Sequence, residues 1–97
     1  MVTIIWDTWL NPSTEEEGLR LKRQIWSDMQ IFEGYISHQL FIDQKDPKHI
    51  IALGHWKSEA VADSVLAKYK DSETIRQLIP LLARPRDRWI TIEDDVG

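Results

Sequence analysis

Two runs decide the fold: Tyr35-Ile-Ser-His-Gln-Leu-Phe-Ile42 and His49-Ile-Ile-Ala-Leu-Gly-His-Trp56, separated by the polar stretch Asp43-Gln-Lys-Asp-Pro-Lys48. Both runs are rich in β-branched and aromatic residues, and the stretch between them carries a turn signal, so together they read as a β-hairpin. Lys57-Ser58-Glu59 follows at once. It opens a helix, with Ser58 as its N-cap and Val61, Val65 and Tyr69 on one side.

Upstream, Thr3 to Leu10 has strand composition and stops at Asn11-Pro12, a turn signal. Ser13 or Thr14 then offers an N-cap, with Glu16 or Glu17 as capping-box partner and three glutamates at the positive end of a helix dipole. This first helix is expected to run to about Phe32, with Gly18, Leu21, Ile25, Met29 and Phe32 as its apolar stripe and Trp26 on the flank. Gly34 can take the left-handed conformation that closes helices. Downstream, Asp71-Ser72 starts a short third helix bearing Ile75, Leu78, Ile79 and Leu82, which Pro80 disrupts. Arg88 to Glu93 reads as a fourth strand. The order is βαββαβ, an α+β, ferredoxin-like plan: a four-stranded antiparallel sheet with helices on one face.

Composition agrees with one domain spanning 1–97: 97 residues, 42% apolar, 29% charged, net charge −4. A chain of this size hides only about two-thirds of its unfolded surface, so five tryptophans are a large apolar payload. Cysteine is absent, which excludes a disulfide framework, a thiolate metal site and a Cys nucleophile, and makes the cytoplasm the default setting. No apolar run approaches the length of a bilayer, so no membrane partner is expected. Twelve basic against sixteen acidic residues leave no broad positive field, and nucleic acid is not expected as a partner either.

The strands are apolar on both faces. Ile4, Trp6 and Leu10 alternate with Ile5 and Trp9 in the first, and the hairpin repeats the pattern. Helices cover one face only, which would leave a patch of several hundred Å2, larger than soluble monomers normally show. A homodimer packed sheet to sheet is therefore expected. Pairing Ile42 with His49 across the loop would put Tyr35, Ser37, Gln39 and Phe41 on one face with Ile50, Ala52, Gly54 and Trp56, a set suited to lining a ligand. The other face would then hold Ile36, His38, Leu40, Ile42, Ile51, Leu53 and His55, an aliphatic set suited to an interface.

The strand order, Gly34-Tyr35 straight after the first helix, and His55-Trp56-Lys57-Ser58-Glu59 closing the third strand resemble the antibiotic biosynthesis monooxygenase family of dimeric α/β-barrel proteins. The resemblance spans about residues 2–93. It implies a homodimeric α/β barrel with one pocket per subunit between sheet and helices. It also implies oxidation of phenolic or anthrone-like aromatics by dioxygen, with neither metal nor flavin. Trp56 matches the family's pocket tryptophan, and Arg76 falls where the family places a pocket arginine. The family's asparagine, tyrosine and strand-two histidine are here Ala52, Ala62 and Phe41. The haem-degrading branch is disfavoured, because its axial histidine has no counterpart among His38, His49 and His55.

The candidate site that follows has Arg76 and His38 as catalytic residues and Trp56, Trp6, Tyr35, Phe41 and Trp26 as substrate-binding residues. No metal and no cofactor are called for. Indoles would stack on a flat ring, and Arg76 would hold a phenolate or carboxylate. Each residue also has a structural reading. Trp56 can be a core aromatic, Arg76 a surface ion-pair residue, His38 and His55 interface histidines. Arg84, Arg86 and Arg88 can be a solvated loop, a pocket rim or cross-dimer partners, and Gly18 allows either close packing or room for a ligand. Two functions remain open: a cofactor-independent monooxygenase for an aromatic or quinol-like molecule, and a non-catalytic dimeric small-molecule-binding or regulatory module of the same fold.

Overall fold

A computed structural model of the chain describes residues 1–95. Four strands, β1 (Val2–Trp9), β2 (Tyr35–Ile42), β3 (His49–Trp56) and β4 (Asp87–Thr91), form one antiparallel sheet in the order β2-β3-β1-β4. Helices α1 (Glu15–Met29), α2 (Glu59–Tyr69) and α3 (Glu73–Leu78) pack on one face, and a 3-10 turn over Ile79–Leu81 accommodates Pro80. This is the ferredoxin-like α+β fold expected from the strand and helix order.

Local signals explain most boundaries. The Ser58 hydroxyl accepts from the Val61 amide at 3.2 Å and the Ser72 hydroxyl from the Ile75 amide at 3.3 Å, satisfying orphan donors at the starts of α2 and α3. The expected capping box of α1 does not form. Thr14 is the N-cap residue, but its hydroxyl donates to the Asn11 carbonyl at 2.7 Å instead of accepting from the helix. Three glutamates in the first turn supply the favourable charge there. α1 also ends at Met29, three residues early. Phe32 reaches the core from a turn, donating its amide to the Met29 carbonyl at 3.1 Å.

The hairpin register differs from expectation by one residue. Ile42 faces Ile50, not His49, and Asp43 closes the hairpin by donating its amide to the His49 carbonyl at 3.0 Å. Side chains fix this pairing. The His49 ring bonds Asp43 Oδ2 at 2.9 Å through Nδ1 and Asp7 Oδ1 through Nε2, while its face stacks on Trp9 at 4.0 Å. A slip of one residue moves a strand's side chains to the opposite face. His38, Leu40 and Ile42 therefore lie on the helix side with Ile50, Ala52 and Gly54, and the outer face takes Ser37, Gln39 and Phe41 with Ile51, Leu53 and His55. An irregularity between Tyr35 and Ser37 returns Tyr35 to a place opposite Trp56.

The core lies between sheet and helices. Ile4, Ile50, Ala52 and Trp56 meet Leu21, Ile25, Trp26 and Met29 of α1, with Ala62, Val65, Ile75 and Leu78 closing the far side. Two glycines set its spacing. A Cβ on Gly18 would strike the Leu10 side chain, so this residue serves close helix–sheet approach. A Cβ on Gly54 would strike the Trp26 ring, so the indole of α1 lies directly against the β3 backbone.

Candidate functional site

A cavity of about 50 Å3 remains where the sheet, α1, α2 and the segment entering β4 converge. That is room for a few waters, so a fused-ring ligand enters only as side chains at the mouth shift. Trp6, Trp26 and Trp56 form its aromatic walls, and Ile4, Ile25, Met29, Val65 and Ile75 its aliphatic ones. Trp26 and Trp56 are each 3% exposed. The indoles come from three elements, and alternation in β1 and β3 together with the i,i+4 run Gly18, Lys22, Trp26 in α1 aims them at one space.

The charged groups along this lining are all cations: Lys22, Lys70, Arg86 and Arg88. Lys22 is 1% exposed. Burial, reinforced by the Arg86 charge, lowers its pKa from 10.5 to about 7. Arg86 lies with its guanidinium 4.4 Å from the centre of the Trp6 ring, and burial lowers its pKa as well. Arg88 lies 5.6 Å over the same ring and donates to Asp63 Oδ1 at 3.0 Å. Tyr69 turns its hydroxyl to Asp28 Oδ2 at 2.7 Å, and burial, with that carboxylate, raises its pKa.

A second layer stands behind the indoles. The His38 ring stacks on Trp26 at 5.3 Å, and its Nδ1 shares a hydrogen bond with the Tyr35 hydroxyl at 2.5 Å. Tyr35 in turn meets Trp56 edge-on at 5.8 Å. Burial lowers the His38 pKa, which favours the neutral imidazole. His38 and Tyr35 thus hold the aromatic wall from behind and do not line the cavity.

The structure brings three of the seven sequence-derived candidates to the cavity: Trp6, Trp26 and Trp56. Phe41 lies on the outer face, 50% exposed, because of the register shift. Arg76 lies on the exposed side of α3, whose buried residues are Ile75 and Leu78, and does not reach the lining. Of the three arginines before β4, Arg86 and Arg88 rim the cavity, whereas Arg84 lies 5.5 Å over Trp9. Lys22 was missed. Its signal was available, since a lysine four residues from both Gly18 and Trp26 sits in the middle of the buried side of α1.

Searches with the sequence match no protein-family model and no curated protein. Solved structures do match in fold. SnoaB, a cofactor-independent oxygenase from Streptomyces nogalater, superposes with a TM-score of 0.84 at 13% identity, over 98% of this chain and 94% of that one. A Deinococcus radiodurans protein assigned by name as an antibiotic biosynthesis monooxygenase gives 0.85 at 15% identity, over 100% and 96%. Another antibiotic biosynthesis monooxygenase gives 0.77 at 20% identity, over 97% and 99%. At these identities the likeness is one of fold, and it is the fold the sequence resembled.

Proposed function

We propose that this chain is a cofactor-independent monooxygenase acting on a flat aromatic or quinol-like molecule held between sheet and helices. The observation that carries this reading is the cavity itself: three indole walls, a cationic rim and no carboxylate among its described lining residues. The naming of a structural neighbour as a cofactor-independent oxygenase supports it.

Such chemistry draws its electrons from the substrate. Loss of a proton to solvent from a methylene conjugated through an aromatic ring to a carbonyl, as in an anthrone, gives an enolate, which passes an electron to dioxygen. Recombination forms a carbon–oxygen bond. The protonated hydroperoxide then loses water and leaves a ketone, so one oxygen atom stays in the product and the other departs as water. The protein has three tasks: to stack the ring against Trp6 and Trp56, to exclude water, and to balance the enolate charge. The cations of the rim suit the last task, and Arg76, exposed on α3, does not. His38 and Tyr35 serve by fixing Trp26 and Trp56. The proposed setting is the cytoplasm.

The working unit in this reading is a homodimer formed through the outer sheet face, the dimeric α/β barrel. Phe41 and Trp89 are 50% and 48% exposed there, beside half-buried Ile5, Ile51 and Leu53, and no helix covers them. A hydrogen-bonded chain links three polar side chains in that face. Thr3 Oγ1 bonds His55 Nδ1 at 2.9 Å, and His55 Nε2 bonds Gln39 Oε1 at 2.6 Å. A second copy can therefore cover Thr3 and His55 without orphaning their side-chain groups.

Oxygen consumption with a panel of anthrones and hydroquinones tests the enzyme reading. Turnover by wild type that is lost in Trp56→Ala and kept in Arg76→Ala supports it. No turnover above blank on any substrate, with ligand binding retained, favours the non-catalytic binding module.

A further inference from the structure

We infer that Lys22 and Arg86 together form a binding site for an oxyanion, the carboxylate, phenolate or enolate oxygen of a planar aromatic ligand whose ring lies between Trp6 and Trp56. The inference rests on the cavity being the ligand site but not on turnover.

Lys22 is a fully buried amine that lines an apolar cavity, and among the described residues no carboxylate lies within ion-pair distance of it or of Arg86. The nearby acids are committed elsewhere: Asp63 to Arg88 and Asp28 to the Tyr69 hydroxyl. Two cations thus face one space without a counter-ion of their own. A buried charge is ordinarily paired, and leaving one unpaired costs several kcal/mol. An anionic ligand removes that cost at both residues at once. The guanidinium already lies over Trp6, 4.4 Å from the ring centre, so an aromatic anion that stacks on the indole also meets the charge. The other charged groups that line the cavity are Arg88, paired with Asp63, and Lys70, both cations, so each of them also favours an anion.

Proton uptake follows from the same geometry. Burial holds much of the Lys22 population neutral above pH 7. A bound anion favours the ammonium, so at pH 8 binding should draw about one proton from solution.

The test is calorimetric titration with 2-naphthoate and with its neutral analogue 2-acetylnaphthalene, at pH 8 in buffers of different ionisation enthalpy. Wild type should bind the carboxylate about tenfold more tightly than the ketone and take up about one proton. Lys22→Met should remove the preference and the proton uptake together, and Arg86→Gln should reduce the preference while leaving part of the uptake, because burial alone still lowers the Lys22 pKa. Ketone binding equal to or tighter than naphthoate binding overturns the oxyanion site and leaves the cavity standing. Preference and uptake that survive Lys22→Met also overturn it, whereas failure of both probes to bind at millimolar concentration overturns the ligand cavity beneath it. Thermal melts of both variants confirm that each is folded.

Discussion

The Arg86 guanidinium lies 4.4 Å from the centre of the Trp6 ring, and this pair ties the entry of β4 to the middle of β1 at the mouth of the cavity. The indole lines the cavity and lies under the cation, so in the proposed site it is both a wall for a ligand and the platform for Arg86. Trp6→Leu should therefore weaken naphthoate binding about threefold to tenfold, by removing the stacking surface and loosening Arg86. Calorimetric titration checks this, and an unchanged affinity would show that the ring is only structural.

Lys22 predicts how stability depends on pH. Its folded-state pKa, about 7, lies below the 10.5 of an exposed lysine, so between these values the unfolded chain binds more protons than the folded one. The ligand-free protein should then gain stability as pH rises from 7 toward 10, with the cost of the buried ammonium fully present below pH 7. Lys22→Met should abolish this gain. At pH 7 it should stabilise the fold by on the order of 2–4 kcal/mol, since an apolar side chain of similar length carries no charge to desolvate. Urea denaturation at pH 7 and pH 9 measures both effects, and a wild-type curve independent of pH would contradict the burial of a charged Lys22.

The outer sheet face predicts self-association. Sedimentation at micromolar concentration should show a dimer for wild type. Leu53→Glu, which places a charge in the middle of the half-exposed apolar face, should shift it to a folded monomer. A well-folded wild-type monomer would refute the sheet-to-sheet interface.

Much of the fold was legible because its signals are local. Ser58 and Ser72 cap the helices they precede, Pro80 falls where α3 gives way to a 3-10 turn, and β2 and β3 have the expected limits. What the sequence hid depends on distant partners. The hairpin register turns on His49 meeting Asp7, 42 residues away, and that contact moved Phe41 out of the helix-covered layer and His38 into it. Arg76 and Arg86 are equally charged in sequence, but Ile75 and Leu78 anchor α3 so that Arg76 stays exposed, while the start of β4 carries Arg86 over Trp6. The place of Lys22 between Gly18 and Trp26 is a local signal of burial, but its facing a cavity beside Arg86 depends on the distant segment that enters β4.

The most direct test of the central claim is the fate of isotopically labelled dioxygen with purified protein free of metal and flavin, using an anthrone that the wild type consumes. The account predicts one labelled oxygen atom in the ketone product and the other in water, with the reaction lost in Trp56→Ala. Product oxygen drawn from solvent, or a reaction that needs an added metal or flavin, would contradict it.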